Sequence, residues 1–184
     1  MSMNSATDNR IIAMLGDGGD PEAGVRMLVE LYGERIYWHV RRLVLFHEEA
    51  EELTQDTFVR ACFRIGSYRG EGPFSAWLYR IATNEALQWI RRKRAGRKNL
   101  IGVECLSDLP AEEVELGDAA ADLFAEAVLR LPPRQRSIFT LRYYDGMPYR
   151  QIAQVMETTE SNARTTYHYA TDKIRDFIKE HGYE

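Results

Sequence analysis

The chain has 184 residues, of which 45% are hydrophobic and 28% charged, and its formal net charge is −4. This composition excludes a disordered chain, a collagen-like repeat and a small disulfide-stabilised protein, and the length suits one ordinary domain or two small ones. Taken alone, the negative net charge argues against a nucleic-acid partner, because phosphate binding draws on clustered lysine and arginine.

The cysteines and the apolar segments indicate the cellular setting. Cys62 and Cys105 lie far apart without CxxC spacing, so the sequence indicates neither a zinc site nor a disulfide framework. No segment approaches the roughly 20 apolar residues of a membrane span, and the N-terminus lacks the basic and apolar regions of a secretory signal. We therefore expect a soluble, cytoplasmic protein without membrane insertion, metal or cofactor.

The charges are distributed unevenly along the chain. Residues 1–98 carry a net charge of +2 and residues 130–184 also carry +2, whereas residues 99–129 contain 8 acids and no Lys or Arg. The acidic stretch also contains Gly102, Pro110 and Gly117. This pattern predicts a flexible acidic linker at 99–117 between two domains, 1–98 and 118–184. At about 3.3 Å per residue such a linker spans up to roughly 60 Å.

The N-terminal domain is predicted to be helical, because apolar residues recur at spacings of three and four. A first helix begins at Pro21, after Asp20. Its apolar stripe comprises Val25, Leu28, Val29, Tyr32, Ile36, Val40, Leu43 and Val44. A second helix runs from Glu48 to Ile65 with an acidic first turn, which suits the positive end of the helix dipole. After a turn at Gly66 to Gly72, Pro73 opens a third helix that extends to Ala95.

The C-terminal domain is also predicted to be helical. One helix begins near Asp118 and ends before Pro132, and a second runs from Pro133 to about Tyr144. A short helix follows from Pro148, and a last one extends from about Thr159 to His181. The sequence therefore predicts an all-α fold of two small helical domains joined by the acidic linker.

The third helix of the N-terminal domain ends in QWIRRKRAGRK, which holds six cations within eight positions. Aromatic residues precede this run, and bases can stack on such side chains while cations hold the phosphates. The competing interpretation is an amphipathic helix with a solvated basic end.

The segment from Tyr149 to Ala170 has the layout of a helix-turn-helix. Ile152, Val155 and Met156 are predicted to face the core, and Thr158 or Thr159 to cap the second helix. Side chains able to contact base edges occupy the outward face of that second helix: Glu160, Ser161, Asn162, Arg164, Thr165 and His168. The competing interpretation is a plain helical hairpin.

Together these segments resemble a known family. EEAEELTQDTFVRACFRI followed by YRGEGPFSAWLYRIATNEALQWIRRKR is similar to region 2 of the extracytoplasmic-function (ECF) group of bacterial sigma-70-type sigma factors, and LPPRQRSIFTLRYYDGMPYRQIAQVMETTESNARTTYHYATDKIRDFI resembles their region 4. The resemblance implies an initiation factor that binds core RNA polymerase through the clamp helices and the flap and directs it to promoter DNA. It also implies an anti-sigma factor as a partner.

The resemblance implies three sets of binding residues. The residues expected to dock on polymerase are Glu51, Glu52, Thr54 and Gln55. Those expected to bind the −10 element as a melted strand are Tyr68, Arg69, Trp77, Arg80, Asn84, Arg91, Arg92, Lys93 and Arg94. The outward face of the helix-turn-helix would contact the −35 duplex. For Trp77, packing in the core is the competing interpretation, and for the acidic helix start it is a solvated surface.

Three features depart from the family pattern. Glu157 stands at a tight turn where glycine is usual, and a non-glycine residue there costs about 1 kcal/mol if the backbone is left-handed. Ala163 replaces a larger β-branched residue. Thr166 and Tyr169 stand where the family often has arginine. These departures bear on −35 recognition rather than on the fold.

Two other functional classes compete with this interpretation. A stand-alone helix-turn-helix regulator would use only the C-terminal domain, but it has no need of the aromatic and basic third helix or of the separating linker. An enzyme is not indicated, because the four histidines are scattered and no nucleophile and base are suggestively spaced.

Overall fold

A computed structural model of the protein describes residues 5–98 and 119–181; the predicted linker at 99–117 lies outside them. Over the described residues the chain forms eight α-helices and no β-strand. They are α1 Ser5–Leu15, α2 Pro21–Val44, α3 His47–Arg64, α4 Phe74–Lys98, α5 Ala119–Leu129, α6 Pro133–Tyr143, α7 Tyr149–Val155 and α8 Glu160–His181. The predicted all-α fold is confirmed. Within these residues, no helix combines the length and the apolar character that crossing a membrane requires.

The chain divides into two compact units. Of the described residues, 5–86 and 154–157 belong to the first unit and 87–98, 119–153 and 158–181 to the second, so one division lies inside α4, after Ala86. The predicted domain boundaries, at residues 98 and 118, stay predictions. The helix boundaries agree with the sequence-based expectations to within one to three residues, which is the usual uncertainty at helix ends.

The sequence analysis did not predict α1, which packs against α2. Asp8 is buried, and its carboxylate accepts a 2.7 Å hydrogen bond from the Tyr32 hydroxyl. Burial and this carboxylate raise the pKa of the Tyr32 phenol. A Cβ atom at Gly24 would lie 2.9 Å from Cδ2 of Leu15, so glycine at this position allows the two helices to approach closely.

Helix α2 begins as predicted, because the Asp20 side chain accepts a hydrogen bond from the backbone N–H of Ala23 and Pro21 occupies the first turn. Its buried face includes residues at a four-residue spacing, namely Gly24, Leu28, Tyr32, Ile36 and Val40. Val25 and Val29 were placed on this stripe and are exposed instead. Each lies one position, or about 100°, beyond the buried face.

Helices α2, α3 and α4 are connected by buried polar contacts as well as by apolar packing. Nε2 of buried His39 on α2 lies 2.9 Å from the Thr83 hydroxyl on α4. That hydroxyl donates its proton to the Tyr79 carbonyl oxygen, so the imidazole N–H must be the donor to Thr83. Between α3 and α4, the Arg60 guanidinium lies 3.2 Å from the buried Glu85 carboxylate.

In the C-terminal unit, α5 and α6 pack on α8. The core consists of Ala127, Val128, Leu131, Phe139, Ala170 and Ile174. The buried guanidinium of Arg136 donates to the carbonyl oxygen of Leu129 at the end of α5. Its burial lowers the pKa of Arg136 to about 10. The side chain thus satisfies a carbonyl group that the end of α5 would otherwise leave without a partner.

Candidate nucleic-acid interfaces

The loop that leads into α4 is closed by its own hydrogen bonds. After a 3₁₀ turn at Ile65–Ser67, the Tyr68 hydroxyl donates to the Gly72 carbonyl oxygen at 2.6 Å. Gly70 has a φ of 72°, which favours glycine. Arg69 is exposed on this loop. The loop therefore presents a cation beside a tyrosine whose position is fixed at both its ring and its hydroxyl.

Trp77 packs against Tyr68, which lies on this loop. Its ring stacks on Phe74 at 5.5 Å between centroids and lies 5.8 Å from the Tyr68 ring. The residue is only 8% exposed. This burial agrees with the packing interpretation and does not favour the predicted contact between Trp77 and a base.

Most of the cations expected to bind the −10 strand share one side of α4. At 100° per residue, every one of these arginines lies within about 80° of Asn84, so the group occupies an arc of about 160°: Arg80, Asn84, Arg91, Arg92 and Arg94. Arg80 is half-buried and the other four are exposed. Lys93 lies on the opposite side of the helix, with its ammonium 5.1 Å from the centroid of the Trp89 ring. The Arg97 and Lys98 side chains lie outside the described part of the chain. The result is a continuous polar and cationic stripe, which also includes the exposed amide of Gln88.

The helix-turn-helix forms as predicted. Ile152, Val155 and Met156 are buried, and the Thr159 hydroxyl accepts from the backbone N–H of Asn162, which caps α8. In the turn, Glu157 has a φ of 49°, so the backbone is left-handed at this residue. The left-handed conformation, on which the predicted cost of a non-glycine residue depended, is therefore present.

The outward face of α8 is exposed at every predicted position, namely Glu160, Ser161, Asn162, Arg164, Thr165 and His168. Three of these residues are already engaged within the turn and the first helical turns. The Asn162 amide donates to the Thr158 hydroxyl at 2.7 Å, and the Arg164 guanidinium lies 3.2 Å from the Glu160 carboxylate. Ser161, Thr165 and His168 complete this face.

The sequence analysis missed two residues beside this face, Tyr149, whose ring contacts Arg164, and Arg142, which contacts the same ring. The guanidinium carbons of Arg142 and Arg164 each lie 4.9 Å from the centroid of the Tyr149 ring. Because the three residues come from α6, α7 and α8, no periodicity within one helix could have connected them. Only the tertiary fold brings them together.

The predicted polymerase-binding residues lie near the start of α3. Glu51, Glu52 and Gln55 are exposed. Thr54 is buried instead, with its hydroxyl donating to the Ala50 carbonyl oxygen at 2.6 Å, so its side chain is not on the exposed surface. This burial beside Leu53 does not favour a direct contact between Thr54 and polymerase, and its role stays a prediction.

One histidine and two apolar residues lie on α3 with the exposed residues Glu51, Glu52 and Gln55. Nε2 of His47 lies 3.4 Å from the Glu51 carboxylate, and its Nδ1 lies 2.8 Å from the Tyr37 hydroxyl. Val59 and Phe63 are exposed further along α3. Sequence reasoning missed these two residues, because periodicity alone does not show that apolar side chains remain uncovered.

Comparison with known families identifies the family of the protein that carries these surfaces. The Sigma-70 region 2 family matches residues 28–96, and the Sigma-70, region 4 family matches residues 121–173. The chain belongs to the sigma-70 family. The ECF RNA polymerase sigma factor SigW of Bacillus subtilis is 28% identical over 164 residues, which are 83% of this chain and 88% of SigW. The resemblance to the ECF group is thereby confirmed, and the chain is an ECF sigma factor.

Solved structures share the fold of this sigma factor. CnrH, in complex with the cytosolic domain of CnrY, has a TM-score of 0.71 and 21% identity, with 96% of this chain and 99% of that chain covered. The sigma factor RpoE from Bartonella quintana, in complex with the anti-sigma factor NepR, has a TM-score of 0.67 and 22% identity, with 84% and 96% covered.

The family matches assign each surface to one region of the sigma-70 family. Helix α3, the loop at 65–73 and nearly all of α4 lie within region 2, and the helix-turn-helix lies within region 4. Helix α1 lies outside both matches. Of the departures from the family pattern, Ala163 is fully buried and Tyr169 is 60% exposed. Among the described residues of this sigma factor, no group of three or more His, Cys, Asp or Glu side chains is placed to hold a metal ion.

The left-handed turn of region 4 gives a prediction about stability. Replacing Glu157 by glycine is expected to stabilise the chain by about 1 kcal/mol relative to Glu157→Ala, since only the Cβ atom is disfavoured at this φ. The comparison with alanine cancels any effect of the carboxylate. Chemical denaturation, followed by the circular dichroism of the full chain, measures the difference, and equal stability of the two variants would contradict the strain.

Proposed function

We propose that this ECF sigma factor binds core RNA polymerase in the cytoplasm, recognises −10 and −35 promoter elements and promotes melting of the −10 region. Catalysis belongs to the polymerase, and the sigma factor supplies recognition and single-strand capture. The observation that carries the proposal is that region 2 and region 4 each present an exposed face whose side chains suit nucleic acid. A stand-alone regulator would leave the face on α4 without a use.

The face on α4 suits a melted strand. Its arginines can bind successive phosphates, and the Asn84 amide can donate to and accept from the edge of an unstacked base. The cost of unstacking, a few kcal/mol, is lower when the receiving surface is already ordered. The hydrogen bond of Tyr68 to Gly72 and the rings of Phe74 and Trp77 supply such order beside the start of α4.

The face on α8 suits duplex DNA. The first turns of a recognition helix contact base edges in the major groove, and Arg164 can bind guanine with two hydrogen bonds. Phosphate contacts usually accompany such readout. Thr166 and Tyr169 cannot supply the charge of an arginine, so we expect fewer phosphate contacts along this helix.

The proposed partners are core polymerase and an anti-sigma factor. Glu51, Glu52 and Gln55, with the apolar side chains of Val59 and Phe63, form an exposed surface on α3 that suits a basic, partly apolar partner such as the clamp helices. Region 4 would bind the flap. An anti-sigma partner is supported by the complex of RpoE with NepR, whose sigma factor shares this fold.

Transcription with purified components tests the proposed function. Core RNA polymerase is incubated with genomic DNA fragments, with and without this chain, and run-off products are compared. Promoter-specific products that require the chain support the proposal. Absence of binding to core polymerase, together with tight binding of the isolated chain to a duplex, would favour the stand-alone regulator.

Asn84 tests the single-strand readout directly. We expect Asn84→Ala to lower open-complex formation by about tenfold, the size expected for losing a hydrogen bond to an otherwise buried polar group, while binding of the holoenzyme to closed duplex changes little. Permanganate reactivity of the melted strand measures opening, and gel shifts measure duplex binding. Gln88→Ala, an exposed amide one turn further along α4, is the matched control. Equal losses in both assays would contradict readout of a melted base by Asn84.

A further inference from the structure

The ring of Tyr149 lies within cation–π distance of two guanidinium groups in region 4. The guanidinium carbons of Arg142 and Arg164 are each 4.9 Å from the ring centroid, inside the roughly 6 Å limit for such contacts. Arg142 is anchored in addition, because its Nη1 donates to the Met147 carbonyl oxygen at 3.1 Å. Arg164 is the residue whose outer end remains exposed on the proposed DNA-binding face.

The Tyr149 ring is itself held by the core of the domain. It lies edge-on to the Tyr167 ring at 6.0 Å between centroids. Tyr167 in turn stacks almost parallel on Phe139, at 5.7 Å and 11°. Phe139 is a buried member of the hydrophobic core. Two ring–ring contacts and one cation–π contact therefore connect the core to the guanidinium of Arg164.

Arginine has a long side chain that loses conformational freedom when it binds a base edge, and this loss weakens binding. A guanidinium already restrained by an aromatic ring and by a carboxylate loses less. In this structure, Tyr149 restrains Arg164 from α7 and Glu160 restrains it from the preceding turn of α8. These contacts direct one arginine without occupying all five of its N–H donors.

We propose that Tyr149 is a positioning residue for Arg164 in −35 recognition. The inference rests on the proposed function, because it requires that Arg164 contacts the −35 duplex. Tyr149 sharpens the choice of the base that Arg164 reads and has little effect at other positions of the element. The ring, rather than the hydroxyl, carries this effect.

The experiment is selection of DNA by the holoenzyme, formed from core RNA polymerase and the full chain, on a promoter library randomised over the −35 region. The wild-type chain, Tyr149→Leu, Tyr149→Phe and Arg164→Ala are compared with the double variant Tyr149→Leu/Arg164→Ala. We expect Tyr149→Leu to reduce the preference at the base read by Arg164 about three- to fivefold. Tyr149→Phe should stay within about twofold of wild type, since it keeps the aromatic face.

The double variant separates positioning from a structural role. If Tyr149 acts through Arg164, adding Tyr149→Leu to Arg164→Ala leaves the base preferences unchanged. A structural role would weaken binding to all sequences and would persist in the Arg164→Ala background. Tyr143→Leu is the matched control, because Tyr143 stacks on the same Phe139 ring at 5.1 Å. We expect it to leave the preference at that base within about twofold of wild type.

The outcomes distinguish this inference from the proposed function. If the wild-type holoenzyme enriches no −35 sequence, or if Arg164→Ala leaves the selected sequence unchanged, the proposed role of α8 is wrong. If Arg164→Ala alters one base preference but Tyr149→Leu does not, the role of Arg164 stands and positioning by Tyr149 is overturned. Positioning by the Tyr149 ring is also overturned if Tyr149→Phe loses as much of this base preference as Tyr149→Leu does.

Discussion

Replacing Arg91, Arg92 and Arg94 together by glutamine is expected to weaken binding of the holoenzyme to promoter DNA about 100-fold near physiological salt. Each phosphate contact contributes roughly 0.7 to 0.9 to the slope of log K against log salt concentration, so three lost contacts reduce the slope by about 2 to 3. The three arginines are exposed on the same side of α4 as Asn84. The expected loss of affinity therefore includes contacts to the melted strand that Asn84 is proposed to read.

Lys93→Gln supplies the matched control for this experiment. Lys93 belongs to the same basic run but lies on the opposite side of α4, over the Trp89 ring. We expect this variant to change the slope by much less than the triple variant does. Binding is measured with a forked promoter template at several salt concentrations. An unchanged slope in the triple variant, or an equal loss from Lys93→Gln, would favour the solvated basic end considered for this helix.

The contrast between Lys93 and its neighbours shows what the sequence alone could establish about the site. A run of cations is visible in the sequence, but its division between two sides of the helix emerges only when each residue is placed at 100° around the axis. The sequence analysis ended the helix at Ala95 and treated the run as one stripe. Helical geometry then separates one lysine from three arginines that are its nearest neighbours in the chain.

Burial explains most of the remaining differences. Thr54 and Trp77 occupy positions that the resemblance implies are functional, but their side chains are packed inside the first unit. Local pattern predicts which residues share a face, and only the packing of neighbouring helices decides which face is covered. The aromatic contacts of Tyr149 are of the same kind, since they join three helices. Helix α1 was missed because a short apolar stretch before GDGGD has too little periodicity to predict a helix.

The helices themselves were well predicted because their signals are local. Asp20 and Pro21 start α2, Thr159 caps α8, and Asp145 and Gly146 follow the end of α6. Each signal depends on the chemistry of one or two residues and on backbone geometry, so the tertiary context does not override it. The left-handed turn at Glu157 was anticipated differently, from the glycine that the family usually has at this position.

A second large effect is expected where α3 meets α4. Replacing Arg60 by methionine leaves the Glu85 carboxylate, which is only 4% exposed, without its cation at 3.2 Å. Removing one partner of a fully buried ion pair costs about 3 to 5 kcal/mol, and the partial exposure of Arg60 reduces the expected loss here to about 2 to 3 kcal/mol. Thermal unfolding should therefore begin at a clearly lower temperature in this variant.

The double variant Arg60→Met/Glu85→Gln is the control, because it also removes the charge that the single variant leaves buried. We expect it to recover more than half of the lost stability, since a neutral amide costs less to bury than a carboxylate. Trp38, Trp77 and Trp89 all lie on α2 or α4, so tryptophan fluorescence follows this part of the chain. Equal instability of the two variants would show that packing of the Arg60 stem, rather than charge, joins the helices.

The same ion pair connects two proposed binding surfaces, which gives its loss a functional consequence. Arg60 lies on the helix that carries Glu51, Glu52 and Gln55, and Glu85 directly follows Asn84. If α3 and α4 shift relative to each other, a chain bound to polymerase through α3 presents Asn84 in a different place. We therefore expect Arg60→Met, at a temperature where it is still folded, to retain core binding but to open promoters more slowly. Weakened core binding with normal opening would instead place the effect of Arg60 on α3 alone.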